Sequence, residues 1–166
     1  MVVIAIDGLR WQEMFEGARR DSLMPFLWEM GRKKGCMIGN RNRKSKMEVA
    51  NGIWKSYAGY SEMLCGVTDD EHIFDNRKQY NPNRSVLELA EACSEYKDRV
   101  NAVASWDVIP YILNYRRSEL PVDFRSSHRV SKQVRNDSVT LNRALKTLKE
   151  KHPKLLFVEF CETDYY

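Results

Sequence analysis

MVVIAIDG, residues 1–8, is an apolar and mostly β-branched run that stops at Asp7-Gly8. Such a run predicts a strand buried on both faces. Two later stretches read alike: Val100 to Ser105, and KLLFVEFC over 154–161, ended by Glu162-Thr163-Asp164. Helical patterns lie between them. Leu23, Phe26, Leu27 and Met30 recur at helical spacing over Ser22 to Lys34, with Pro25 in the first turn and Gly31 and Gly35 marking the end. Ser85 and Glu88 form a capping box before VLELAEAC and predict a helix from Val86 to Tyr96. Asp137 can cap a helix carrying Leu141, Leu145 and Leu148 that ends near His152-Pro153. From Tyr57 to Leu64 the pattern is ambiguous, and a short helix could open at Ala58 or Gly59. Residues 36–55 and 67–84 read as irregular, the latter rich in Asp, Asn and Pro. Strands alternating with helices place the chain in the α/β class, with a mostly parallel sheet flanked by helices.

Composition narrows the choices. The 166 residues are 43% hydrophobic, 30% charged and 11% aromatic, which suits a folded domain and argues against disorder. No apolar run approaches the roughly 20 residues of a membrane-spanning helix, so no membrane segment is expected. The opening run is too short for a signal peptide and no basic residue precedes it, so the protein stays inside the cell or its true N-terminus lies upstream. A net charge of +4 is too mild to imply a nucleic-acid partner. Seven of the basic residues fall between Gly31 and Lys46 with no acidic one among them, which reads as a solvated loop ahead of a nucleic-acid patch. Cys36, Cys65, Cys93 and Cys161 form no CxxC pair, so zinc ribbons and thioredoxin-like motifs are excluded. Cys65 and Cys161, in apolar surroundings, read as small buried hydrophobes. His72, His128 and His152 are scattered without ligand spacing, and the sequons at Asn83 and Asn136 read as chance.

In parallel sheets the functional groups gather past the carboxyl ends of the strands. Asp7 follows the first strand and Asp164 the third. A carboxylate in that position needs a metal, an arginine or a helix terminus; Arg10 is the nearby alternative for Asp7, and helix capping the alternative for Asp164, with Glu162 able to join it on a cation. The third piece is NGIWKSYAGYSEMLCG, 51–66. Ser56 would lie at a helix start, where exposed amides favour an anion and the ionised form of a hydroxyl nucleophile; the plainer use of such a serine is as an N-cap. Lys55 either supports an anion or is solvated. No GxSxG, Walker loop, HExxH or GxGxxG occurs.

Several separate segments resemble the alkaline phosphatase superfamily, nearest the bacterial alkaline phosphatase family proteins and the type I phosphodiesterases/nucleotide pyrophosphatases. They are VVIAIDGLRWQEMFEGA (2–18), LMPFLW (23–28), NGIWKSYAGYSEMLCG (51–66), NPNRSVLELA (81–90), ASWDVIPYILNYRRS (104–118) and LLFVEFCETDYY (155–166), in the family's order over nearly the whole chain. The resemblance implies that residues 1–166 are the N-terminal part of a single alkaline phosphatase-like catalytic domain, an incomplete α/β fold. Asp7 then matches the first metal ligand, Ser56 the Thr or Ser nucleophile ten residues before Gly66, Asn76 in FDNRK the donor to a phosphoryl oxygen, and Asp164 the Asp of the other metal site. In the family a His ligand follows that Asp four positions later, beyond Tyr166. Cys65 stands where Thr is common and Ala58 where Pro is common. SYAGY lacks the CxPxR-type signature of sulfatases, which argues against sulfate esters although the fold would be sulfatase-like.

The implied function is metal-dependent hydrolysis of a small phosphate ester, monoester or diester, through a phosphoseryl intermediate, with two divalent metal ions, zinc being typical. The activity would belong to the full-length hydrolase, the fragment alone being inactive. The family's usual export implies a periplasmic or secreted protein if a signal peptide precedes residue 1. Two other readings stay open: a catalytically dead truncated product, and a basic nucleic-acid-interaction module built on residues 31–46. Trp106, Tyr111 and Arg116 could line a substrate pocket or be core and surface.

Overall fold

A computed structural model describes residues 1–17 and 23–165. Ala18, Ser22 and Tyr166, which the segments above include, lie outside the described residues. The chain divides into two compact units, Met1–Asp7 with Val49–Tyr166, and Gly8–Glu48.

The larger unit is an α/β structure with a four-stranded, all-parallel sheet flanked by helices. Its strands are β1 (Val2–Ile6), β2 (Val100–Ala104), β3 (Val122–Asp123) and β4 (Leu155–Phe160), in the order β1-β4-β2-β3. Register is set by Ile4 opposite Val158 and by Ala102 opposite Phe157. Because the strands are parallel, the residues after β1, β2 and β4 emerge along one edge.

Period-2 alternation gives the sheet two differently covered faces. Odd-numbered β4 residues Leu155 and Phe157 join Ala102 and Ala104 in the larger core, against Tyr57, Tyr60 and Leu64 of the helix Ser56–Cys65 and Leu87 of the helix Val86–Ala92. Even-numbered Leu156 and Val158 pack with Val103 against Ala144 of the helix Asp137–Lys151. That long helix covers β4 and β2. β1 is therefore not buried on both faces as its composition predicts: Val2 and Ile4 are 45% and 60% exposed. Its place at the end of the strand order accounts for the difference.

Other boundaries also move. The helix of residues 56–65 opens at Ser56, ahead of Ala58 or Gly59, and Gly66 closes it at φ 72°, a conformation that favours glycine, with its N–H on the Glu62 carbonyl. The helix from Val86 stops at Ala92 rather than Tyr96, because the chain turns sharply to enter β2. Glu91 holds that turn, accepting from the N–H groups of Asp98 (2.6 Å) and Val100 (3.3 Å). Ser85 caps the helix as its spacing predicts, its Oγ accepting from the Glu88 N–H at 3.2 Å. The Glu88 carboxylate instead takes Arg117 at 2.8 Å. Short helices at Ile109–Ile112 and Tyr115–Ser118, and the two-residue β3, carry no periodicity long enough to read from sequence.

The smaller unit holds a π-helical turn at Glu13–Gly17 and the helix Pro25–Lys34. Trp28 ties the two together: its indole N–H donates to the Met14 carbonyl at 2.8 Å and its ring meets Phe15 edge-on. The basic side chains of residues 31–46 are exposed, Lys33 pairing with Glu29 and Lys46 with Glu48. Among the described residues no helix is long and apolar enough to cross a membrane.

Candidate active site

β1 positions Asp7. Its N–H donates to the Phe160 carbonyl at 2.9 Å, extending the β1–β4 ladder by one residue and setting Asp7 beside Cys161. Gly8, at φ 74°, turns the chain away immediately afterwards. Arg10, the sequence-level alternative for Asp7, pairs with Glu13.

Ser56 is the first residue of its helix; Lys55 holds the N-cap position and makes no side-chain cap bond. Ser56 is therefore not the N-cap. Its hydroxyl donates instead to Asp7 Oδ1 at 3.3 Å, linking the helix start to the end of β1. The next amide, Tyr57 N–H, donates to Asn76 Oδ1 at 3.0 Å. That bond fixes the orientation of the Asn76 amide and leaves its NH2 as the donor end. Asp164 sits in a 3-10 turn at Glu162–Tyr165, directly after β4. Asp7, Ser56, Asn76 and Asp164, the four residues singled out in the sequence, line one cavity of about 90 Å³, joined by Trp106, Gln133, Cys161 and Tyr165. Tyr111 and Arg116 are not among its walls; they stack with Tyr80, the Arg116 guanidinium 5.0 Å from the ring centre.

Glu162 does not join Asp164. Its carboxylate accepts from the Asp137 N–H at 3.0 Å, and the Asp137 carboxylate accepts in return from the N–H groups of Cys161 and Glu162 at 3.0 and 3.1 Å. Asp137 also takes the Ser105 hydroxyl at 2.5 Å. One carboxylate at the start of the long helix thus pins the ends of β2 and β4, and with them the turn that carries Asp164.

Close to Asp7 and Cys161 lies a residue that the apolar reading of 154–161 passed over. Glu159 is fully buried in the central strand, flanked in register by Ala5 and Ala104, whose small side chains leave room for the carboxylate. Its Oε2 accepts from the Ser105 and Trp106 N–H groups, both at 2.9 Å. Burial, reinforced by the charges of Asp7 and Asp137, pushes the Glu159 carboxyl up to about 7 against the pull of those amides. Burial, then the charges of Glu159, Asp7 and Asp164, pushes the Cys161 thiol far up, and burial first, then the same charges, raises the Tyr60 hydroxyl. The signal for Glu159 was present in the sequence: it is the lone carboxylate inside an otherwise apolar strand, a position that burial makes costly without partners. Cys161 was legible as buried, at 2% exposure, but not as a neighbour of carboxylates.

No protein-family profile, no curated protein and no solved structure matches this chain.

Proposed function

We propose that this chain carries part of a hydrolytic centre for phosphate esters, with Ser56 as nucleophile. One observation carries the reading: four residues spread from position 7 to position 164 meet around a single cavity at the carboxyl edge of the sheet, with the Ser56 hydroxyl on the Asp7 carboxylate. The donor set, two strand-end carboxylates and a hydroxyl around one cavity, fits divalent cations. Asp7, Ser56 and Asp164 are the residues that would hold them; when bound, such ions supply Lewis-acid stabilisation of the phosphoryl oxygens and a lowered hydroxyl pKa.

The chain's own groups have separable tasks. Asp7 accepts the hydrogen bond of Ser56 and keeps its oxygen directed into the cavity. Ser56 Oγ attacks phosphorus and the ester oxygen leaves with a proton. Water then attacks the phosphoseryl bond, returning the hydroxyl and releasing inorganic phosphate or a phosphomonoester. The Asn76 NH2 donates to a non-bridging oxygen, and the helix beginning at Ser56 turns its positive end to the same place. Incubation with zinc and an activated aryl phosphate, followed by intact-mass and peptide analysis, tests this. A phosphoryl adduct on Ser56, absent in Ser56→Ala, is expected. An adduct elsewhere, or an equal yield from the variant, refutes the assignment.

A further inference from the structure

We infer that Asp7, Glu159 and Cys161 form a cation site of their own, selective for a thiophilic divalent ion of the zinc class. The site goes beyond the hydrolytic reading: it shares Asp7 with it but uses two residues which that reading leaves idle. One ligand atom from each of the three lies within 4.8 Å of the others. Proximity of acidic groups alone decides little. The second observation is Glu159 itself. It is 0% exposed, and while Oε2 takes two backbone amides, Oε1 has no hydrogen-bond partner among the described residues. A buried carboxylate oxygen without a partner is costly, and a carboxylate oriented through one oxygen by backbone donors is already prepared to ligate through the other.

The alternatives satisfy less of the site. A water would occupy Oε1 but offset neither carboxylate. A proton on Glu159 would relieve only that residue's own charge. A divalent cation offsets both carboxylates at once, and its binding drives the otherwise neutral Cys161 thiol to thiolate. Sulfur in the set selects zinc, cobalt or cadmium over magnesium and calcium, which take oxygen ligands. Tetrahedral zinc with bonds of about 2.0–2.3 Å needs donor atoms about 3.5 Å apart. Separations of at most 4.8 Å therefore need to close by no more than about 1.3 Å. Three protein donors leave a fourth tetrahedral position unfilled, the ligand count of a reactive site rather than a closed structural one.

Cobalt reads this site without any turnover. The 166-residue chain, stripped with chelator and titrated with Co²⁺, is expected to develop an intense near-ultraviolet band from sulfur-to-cobalt charge transfer. The band should vanish in Cys161→Ser, and Co²⁺ affinity should fall at least about tenfold in Glu159→Gln, which keeps side-chain shape and a carbonyl acceptor. Cys161→Ala repeats the first arm if the serine variant does not fold, as judged by circular dichroism. No band in the parent chain, a band that survives loss of the Cys161 thiol, or an affinity unchanged in Glu159→Gln overturns the proposal. The parent chain separates the two readings. A cobalt band there without any phosphoryl adduct on Ser56 leaves the cation site standing alone; phosphorylation of Ser56 without any band removes the cation site and leaves the nucleophile.

Discussion

β1 and β4 are written in nearly the same alphabet, VVIAI against LLFVEF, and they pair along their full length, yet they meet different surroundings. β4 lies between two strands and under helices on both faces. Among the described residues β1 has a neighbour on one side only, and Val2 and Ile4 remain open to solvent. The more apolar-looking strand is the less buried, and the one carrying a glutamate is the core. Composition states what a strand tolerates; position in the sheet decides what it buries.

Substitutions along the two strands should measure that difference. Phe157→Ala removes a fully buried ring from the larger core and should cost about 3–5 kcal/mol, read as a lower urea midpoint. A cost near 1 kcal/mol would deny β4 its central place. Glu159→Ala, measured in chelator, leaves the buried Trp106 amide without its acceptor while Ser105 keeps the Glu159 carbonyl. Partly offset by relief of the unpartnered oxygen, the expected loss is about 1–2 kcal/mol. A gain would mean the carboxylate is a net burden in the absence of a cation. Ile4→Ala, on the open face of β1, should cost less than about 1 kcal/mol; a loss equal to that of Phe157→Ala would place β1 inside a covered sheet. The smallest effect is expected at Glu62, a half-buried carboxylate that holds backbone amides as Glu159 does. The Ala50 N–H and the Asn51 side chain and backbone hold its pKa below the ordinary range. A depressed carboxylate stabilises above its unfolded pKa and loses that contribution as pH falls through the folded value. Thermal melts of Glu62→Gln should therefore fall less on acidification than those of the parent chain; parallel curves would show the bonds to be worth nothing.

Much of the framework could be read in advance, because each principal strand and the long helix carry enough residues for their period to register, although Asp137 is the first residue of that helix and Asn136 its cap. The edge placement of β1 could not, since strand order arises from long-range pairing that no local pattern encodes. Asp7 and Asp164 were visible as carboxylates at strand ends. Ser56 was harder: SYAGYSEML has weak periodicity, and only the structure shows the helix opening on the serine itself. Glu159 and Cys161 were hidden for the opposite reason, since an apolar run of eight absorbs one glutamate and one thiol without losing its appearance. A lone charge in such a run is better taken as a question than as noise.

The strand order has a bearing on how the molecule comes into being. Among the described residues β1 pairs with β4 alone, Val2 meeting Leu156, so a sticky pentapeptide emerges from the ribosome about 150 residues before this partner. During that interval VVIAI is an uncovered ribbon of the kind that recruits chaperones or seeds aggregates. The same delay times the pocket: a centre that straddles β1 and β4 can be assembled only after β4 has been synthesised.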